Sequence, residues 1–174
     1  ASAGPAVVLV AEGQAQAAIF ADAATLEAAG KTRQAAALRM AADELQYYIE
    51  QATGAKLPIV AEMPATGAVI LLGGSPEAIK LGVDADALAE DAFVVRTFPD
   101  RVVIAGRYTD TLDSLVHCCG TYWGVCDFLE RFLGIRWYYP GALGTIVPKS
   151  RNLAIAPVAY SDAPVFRKRE IYRF

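Results

Sequence analysis

Imidazole and sulfur are concentrated in one short segment, where His117, Cys118 and Cys119 are consecutive and Cys126 follows. These are the ligand types that zinc prefers, but structural zinc sites place about two to four residues between paired cysteines, and adjacent cysteines in an extended segment point to opposite sides. The thiols therefore read as small buried hydrophobes, and no metal or other cofactor is expected. His117 is the only histidine of the chain. A hydrolytic triad would need a nucleophile and an acid gathered around it in space, and no spacing in the sequence supplies them.

Paired carboxylates are the other source of chemistry, because glycoside hydrolysis uses two of them about 5 to 9.5 Å apart. Asp127 and Glu130 share one face of a helix, with Arg131 beside them, and read as a solvated helix face. Asp84, Asp86, Glu90 and Asp91 read as loop solvation. Gly73-Gly74-Ser75-Pro76 joins an apolar run to a helix start, the setting of an anion loop. It lacks both glycine-rich phosphate signatures, and Pro76 removes an N–H, so it reads as a strand-to-helix turn. Aromatic residues gather at Tyr122, Trp123, Phe128, Phe132, Trp137, Tyr138 and Tyr139. Such a group serves core or interdomain packing, or forms a ligand surface. No catalytic residue is assigned.

The elements that must position these residues follow from periodicity. Residues 7–10 and 17–20 read as strands of an opening hairpin turned at Glu12-Gly13-Gln14. Over residues 32–52, Leu38, Ala41, Ala42, Leu45, Tyr48, Ile49 and Ala52 form a helical stripe, with Thr32 able to cap its start and Gly54 its end. Strands are expected at 57–60 and at 68–72, the latter apolar throughout and so central. A short helix starts at Ser75-Pro76-Glu77, and 93–97 and 101–106 form a hairpin. A second helix covers 121–132 with Val125, Phe128, Leu129 and Phe132 inward, followed by strands at 135–139, 145–147 and 153–155 and an exit punctuated by Pro157 and Pro164. Strands joined by both hairpins and helices make a sheet of mixed direction with helices packed on it.

The 174 residues suit one domain, and 55% hydrophobic content supports a real core. Sixteen basic against nineteen acidic residues leave a net charge of −3, so no cationic field favours nucleic acid. No apolar run reaches the roughly 20 residues of a membrane span. Ala1-Ser2-Ala3 has the small-residue character of the mature side of a signal cleavage site or of a trimmed chain, which permits export, and a secreted or periplasmic location is the expectation for the parent protein.

The stretch Thr121-Tyr122-Trp123-Gly124-Val125-Cys126-Asp127-Phe128-Leu129-Glu130-Arg131-Phe132-Leu133-Gly134-Ile135-Arg136-Trp137-Tyr138-Tyr139-Pro140-Gly141 resembles a segment of the N-terminal, non-catalytic domain of alpha-glucuronidase-like and beta-N-acetylhexosaminidase-like glycoside hydrolases. Ala42-Asp43-Glu44-Leu45-Gln46-Tyr47-Tyr48-Ile49, Thr53-Gly54-Ala55-Lys56-Leu57-Pro58-Ile59, Ile70-Leu71-Leu72-Gly73, Asp91-Ala92-Phe93-Val94-Val95 and Val103-Ile104-Ala105-Gly106 extend the resemblance in order. It implies an α/β (α+β) domain, a mixed β-sheet with two main helices packed on one face, like the second domain of beta-hexosaminidases. It also implies a division into an accessory domain at 1–160 and, at 161–174, a linker and the start of a truncated (β/α)8 catalytic barrel. The expected partners are that barrel and the polysaccharide or oligosaccharide substrate of the parent enzyme. Pro164-Val165-Phe166-Arg167-Lys168-Arg169 looks like the sequence opening the barrel's first strand, where the family arginine contacts substrate hydroxyls, so Arg169 is a candidate substrate-binding residue. Glu170 stands where the family has glycine, Cys126 where tyrosine is usual, and residues 112–119 look like an extra loop. Trp137, Tyr138 and Tyr139 are the candidate interdomain or ligand surface.

Overall fold

The computed structural model describes residues 4–28, 32–109 and 118–165. The chain opens with strands β1 (Val7–Ala11), β2 (Gln14–Ala15) and β3 (Ala17–Phe20), then helices α1 (Ala23–Ala28) and α2 (Arg33–Thr53). Strands β4 (Ile59–Val60) and β5 (Ala68–Leu72) lead to the short helix α3 (Pro76–Lys80). A hairpin of β6 (Phe93–Phe98) and β7 (Arg101–Gly106) is followed by β8 (Tyr108–Thr109), β9 (Cys118–Cys119) and α4 (Gly120–Leu133). The last elements are β10 (Arg136–Trp137), β11 (Thr145–Ile146), β12 (Leu153–Ile155) and β13 (Ala159–Asp162).

Six strands form the main sheet in the order β13-β6-β7-β5-β3-β4. β5 runs parallel to β3 and β7, and β6 runs antiparallel to β7 and β13, so the sheet is mixed. β5 is apolar at every position because both of its faces are covered: Ile70 and Leu72 join the core shared with α2 and α4, while Val69 and Leu71 join Phe20, Ala78, Val83, Val103 and Ala105 on the α3 side. The two long helices thus lie on one face, as the fold class implies.

α2 forms where the stripe places it. Thr32 Oγ1 accepts a hydrogen bond from the Ala35 N–H at 3.1 Å, and Gly54 takes the left-handed conformation with its N–H on the Glu50 carbonyl at 2.8 Å. α4 is set down closely on the sheet. Thr121 Oγ1 accepts from the Gly106 N–H at 2.9 Å and donates to the Gly106 carbonyl at 3.2 Å. A Cβ at Gly120 would lie 2.3 Å from the Ala92 carbonyl oxygen, and one at Gly106 would lie 2.1 Å from the Gly120 carbonyl carbon, so both positions need a bare Cα.

The structure differs from the expected opening hairpin. β1 pairs with β2, not with 17–20, because Glu12 and Gly13 both adopt positive φ and make a two-residue turn that sets Val10 opposite Ala15. All four residues of β3 are buried, which suits the interior of the six-stranded sheet instead. The turn is held by Asn152 and Arg151: the Glu12 N–H donates to Asn152 Oδ1 at 2.8 Å and Arg151 donates to the Glu12 carbonyl at 2.8 Å. The strand expected at 135–139 stops at Trp137, since the Tyr138 N–H turns onto the Gly144 carbonyl at 2.8 Å.

Gly120→Ala tests the seat of α4. The added methyl meets a backbone oxygen, so the expected cost is about 3 kcal/mol, read as a fall of roughly 10 °C in Tm by thermal unfolding. An unchanged Tm would show that α4 does not rest on the sheet at this point.

Candidate functional site

A groove of about 710 Å³ runs along the outer side of the helix pair. α2 contributes Glu44, Tyr47, Tyr48 and Gln51 to it, whose spacing is that of one helical stripe beside the buried one. α4 contributes Tyr122, Trp123 and Cys126, and the segment after β10 brings Tyr139 and Pro140 opposite them. Trp137 joins the two sides. Its indole N–H donates to Tyr48 Oη at 2.8 Å, and the two rings meet edge to face with centroids 5.3 Å apart.

The groove is aromatic and open. Trp137 is 37%, Trp123 42%, Tyr47 53% and Tyr139 57% exposed, and Tyr138 stands beside them at 70%. These large aromatic side chains lie partly in water on one face. The candidates Trp137 and Tyr139 are therefore brought together in the groove, and Tyr138 lies outside its lining. Arg169 and His117 lie outside the described residues. Glu44 and Tyr47 were not singled out from the sequence as site residues, although their place in the second stripe of α2 carries the signal.

The titratable side chains that line the groove are Glu44, Tyr47, Tyr48, Tyr122, Cys126 and Tyr139. Burial pushes the Cys126 thiol up to about 11 and the Tyr122 phenol up to about 12, so both are protonated at neutral pH. Desolvation also raises the Glu44 carboxyl above its ordinary value. Asp127 and Glu130 do not converge as catalytic partners. Asp127 accepts from the Tyr160 hydroxyl at 2.6 Å and pairs with Arg131, tying β13 to α4, while Glu130 pairs with Arg136.

A second, smaller cleft of about 120 Å³ lies where β3, β5 and β7 end, lined among others by Asp22, Gln34, Gly73, Asp86, Tyr108 and Cys119. Ser75 Oγ accepts from the Ala78 N–H at 3.2 Å, and the Gly73 N–H donates to the Ile104 carbonyl of β7, so these two groups of the turn after β5 are engaged within the fold. Asp84 likewise accepts from the Asp86 N–H in a loop turn. Cys119 and Cys126 face different concavities.

The structure is similar to that of a family GH115 4-O-methyl-alpha-glucuronidase with specificity for decorated arabinogalactans, at 21% identity and a TM-score of 0.55, over 91% of this chain and 18% of that one. It is also similar to a Streptomyces plicatus beta-hexosaminidase in complex with GlcNAc, at 18% identity and a TM-score of 0.52, over 94% of this chain and 24% of that one. A GH20 beta-N-acetylhexosaminidase from Streptomyces coelicolor matches at 17% identity and a TM-score of 0.52, over 96% and 26% of the two chains. The chain has the fold of one part of these larger glycoside hydrolases. It spans about a fifth to a quarter of their length. No family model and no curated protein matches the chain.

The thiol chemistry is directly measurable. With a pKa of about 11, Cys126 is thiolate in roughly one molecule in a thousand at pH 8. Iodoacetamide labelling of its peptide, followed by mass spectrometry, is expected to be slow at pH 8 and to rise about tenfold per pH unit to pH 10. Labelling at the rate of a free thiol would contradict this environment.

Proposed function

We propose that the chain is a non-catalytic accessory domain of a carbohydrate-degrading glycoside hydrolase, in which it packs against a (β/α)8 catalytic barrel. The observation that carries this reading is the open aromatic groove on the helical face, in a chain whose structural neighbours are glycoside hydrolases several times its length. Residues 1–160 form the accessory unit in this reading, and 161–174 lead into the barrel. Arg169 reaches substrate hydroxyls at the barrel's first strand. The parent enzyme is exported, to the periplasm or beyond the cell, where its polysaccharide or oligosaccharide substrate lies.

In this arrangement Trp123, Trp137 and Tyr139 are covered by the barrel, and the domain shapes its position without touching the reacting bond. The second reading, a free carbohydrate-binding module, rests on the same exposed rings. A panel of aryl glycosides and uronides separates the two. The 174-residue chain is expected to be inactive and to bind no glycan, and the longer product of the same gene to hydrolyse one substrate class. Hydrolysis by the short chain would overturn the reading, and glycan binding by it would transfer the groove's role to the sugar.

A further inference from the structure

Five carboxylates lie on the two long helices: Asp43, Glu44 and Glu50 on α2, and Asp127 and Glu130 on α4. Four of them have a cation within 4 Å in the chain itself. Arg39 holds Asp43 at 2.9 Å, Lys56 approaches Glu50 at 3.9 Å, Arg131 holds Asp127 at 3.2 Å and Arg136 holds Glu130 at 3.5 Å. Glu44 alone has no ion pair or hydrogen bond among the described residues, and it is the one that lines the aromatic groove, half-buried between Tyr47 of α2 and Tyr122, Trp123 and Cys126 of α4.

We propose that Glu44 anchors the groove's occupant by receiving an arginine side chain from the unit that covers it. The inference rests on the reading of the chain as one part of a larger glycoside hydrolase, and it adds the chemistry of the contact. Arginine fits for three physical reasons. Its guanidinium is weakly hydrated and tolerates an apolar wall better than an ammonium does. Aromatic faces attract it, and Tyr47 and Trp123 supply them. Its planar fork matches a carboxylate with two parallel hydrogen bonds. Glu44 is already disfavoured as an anion by desolvation, and a lid without a cation would desolvate it further. An approaching guanidinium opposes that shift and favours the ionised form.

The sign of one isosteric substitution tests this in the longer gene product. Rates of limited proteolysis between the accessory unit and the next one are compared for wild type, Glu44→Gln and Trp123→Ala. An arginine partner makes Glu44→Gln loosen the docking, with cleavage about tenfold faster, because a buried guanidinium loses its counter-charge. An uncharged partner makes the same change neutral or tightening, since it removes a desolvated anion, and cleavage that is unchanged or slower overturns the proposal. Trp123→Ala reports on the groove itself. Faster cleavage for it alone sinks the arginine contact and leaves the docking reading standing; wild-type rates for both variants sink the two together. Equal Tm values of the 174-residue chain with and without Glu44→Gln show that the variant folds.

Discussion

The close approach of α4 to the end of β7 is the constraint on which the rest of the structure depends. Gly106 and Gly120 leave no room for side chains where strand and helix meet, and Thr121 closes the gap with two hydrogen bonds to the backbone of Gly106. Gly124 continues the contact one turn on, where a Cβ would meet Ile104 at 3.0 Å and Phe93 at 3.2 Å. With the helix held at that depth, Val125, Phe128 and Leu129 are fully buried against the sheet. Its opposite flank then falls beside α2, and Tyr122, Trp123 and Cys126 face Glu44 and Tyr47 across one groove. The groove is a consequence of helix depth, set by Gly106, Gly120 and Thr121, none of which lines it.

Elements whose burial is one-sided or complete were legible from sequence. The stripe from Leu38 to Ala52 declares α2, the unbroken apolar run at 68–72 declares an interior strand, and Gly54 and Gly134 end their helices in the left-handed conformation. Pairing was harder to read. Val7–Ala11 and Ala17–Phe20 look like partners along the chain, yet two positive-φ residues, Glu12 and Gly13, fix a register that uses up the hairpin on Gln14–Ala15. β13 escaped notice because Ser161 and Asp162 are polar and prolines flank it; an edge strand needs only one hydrogen-bonded side, and Tyr160 supplies its anchor through Asp127.

The candidate surface was half legible. Trp137 and Tyr139 stand out by size, but their partners Tyr47 and Glu44 sit in a helix whose buried stripe dominates the pattern, and only the spacing of Glu44, Tyr47, Tyr48 and Gln51 betrays a second stripe. The carboxylates that sequence offers as a pair, Asp127 and Glu130, are each engaged by an arginine, which leaves the fold without two poised titratable groups in one cleft among the described residues. A fold shared with part of several glycoside hydrolases fixes the architecture and leaves chemistry to the groups a site presents. Here the groove presents aromatic faces and one carboxylate, Glu44, that has no ion pair among the described residues.

In the proposed function, a further unit of a larger protein covers the groove between α2 and α4. Hydroxyl-radical footprinting of Tyr47, Trp123, Trp137 and Tyr139, compared between the 174-residue chain and the longer gene product, tests it most directly. Strong protection of these four side chains in the longer product, with Leu143 and Val8 oxidised equally in both, is the predicted result. Equal oxidation of the four rings in the two proteins would contradict it.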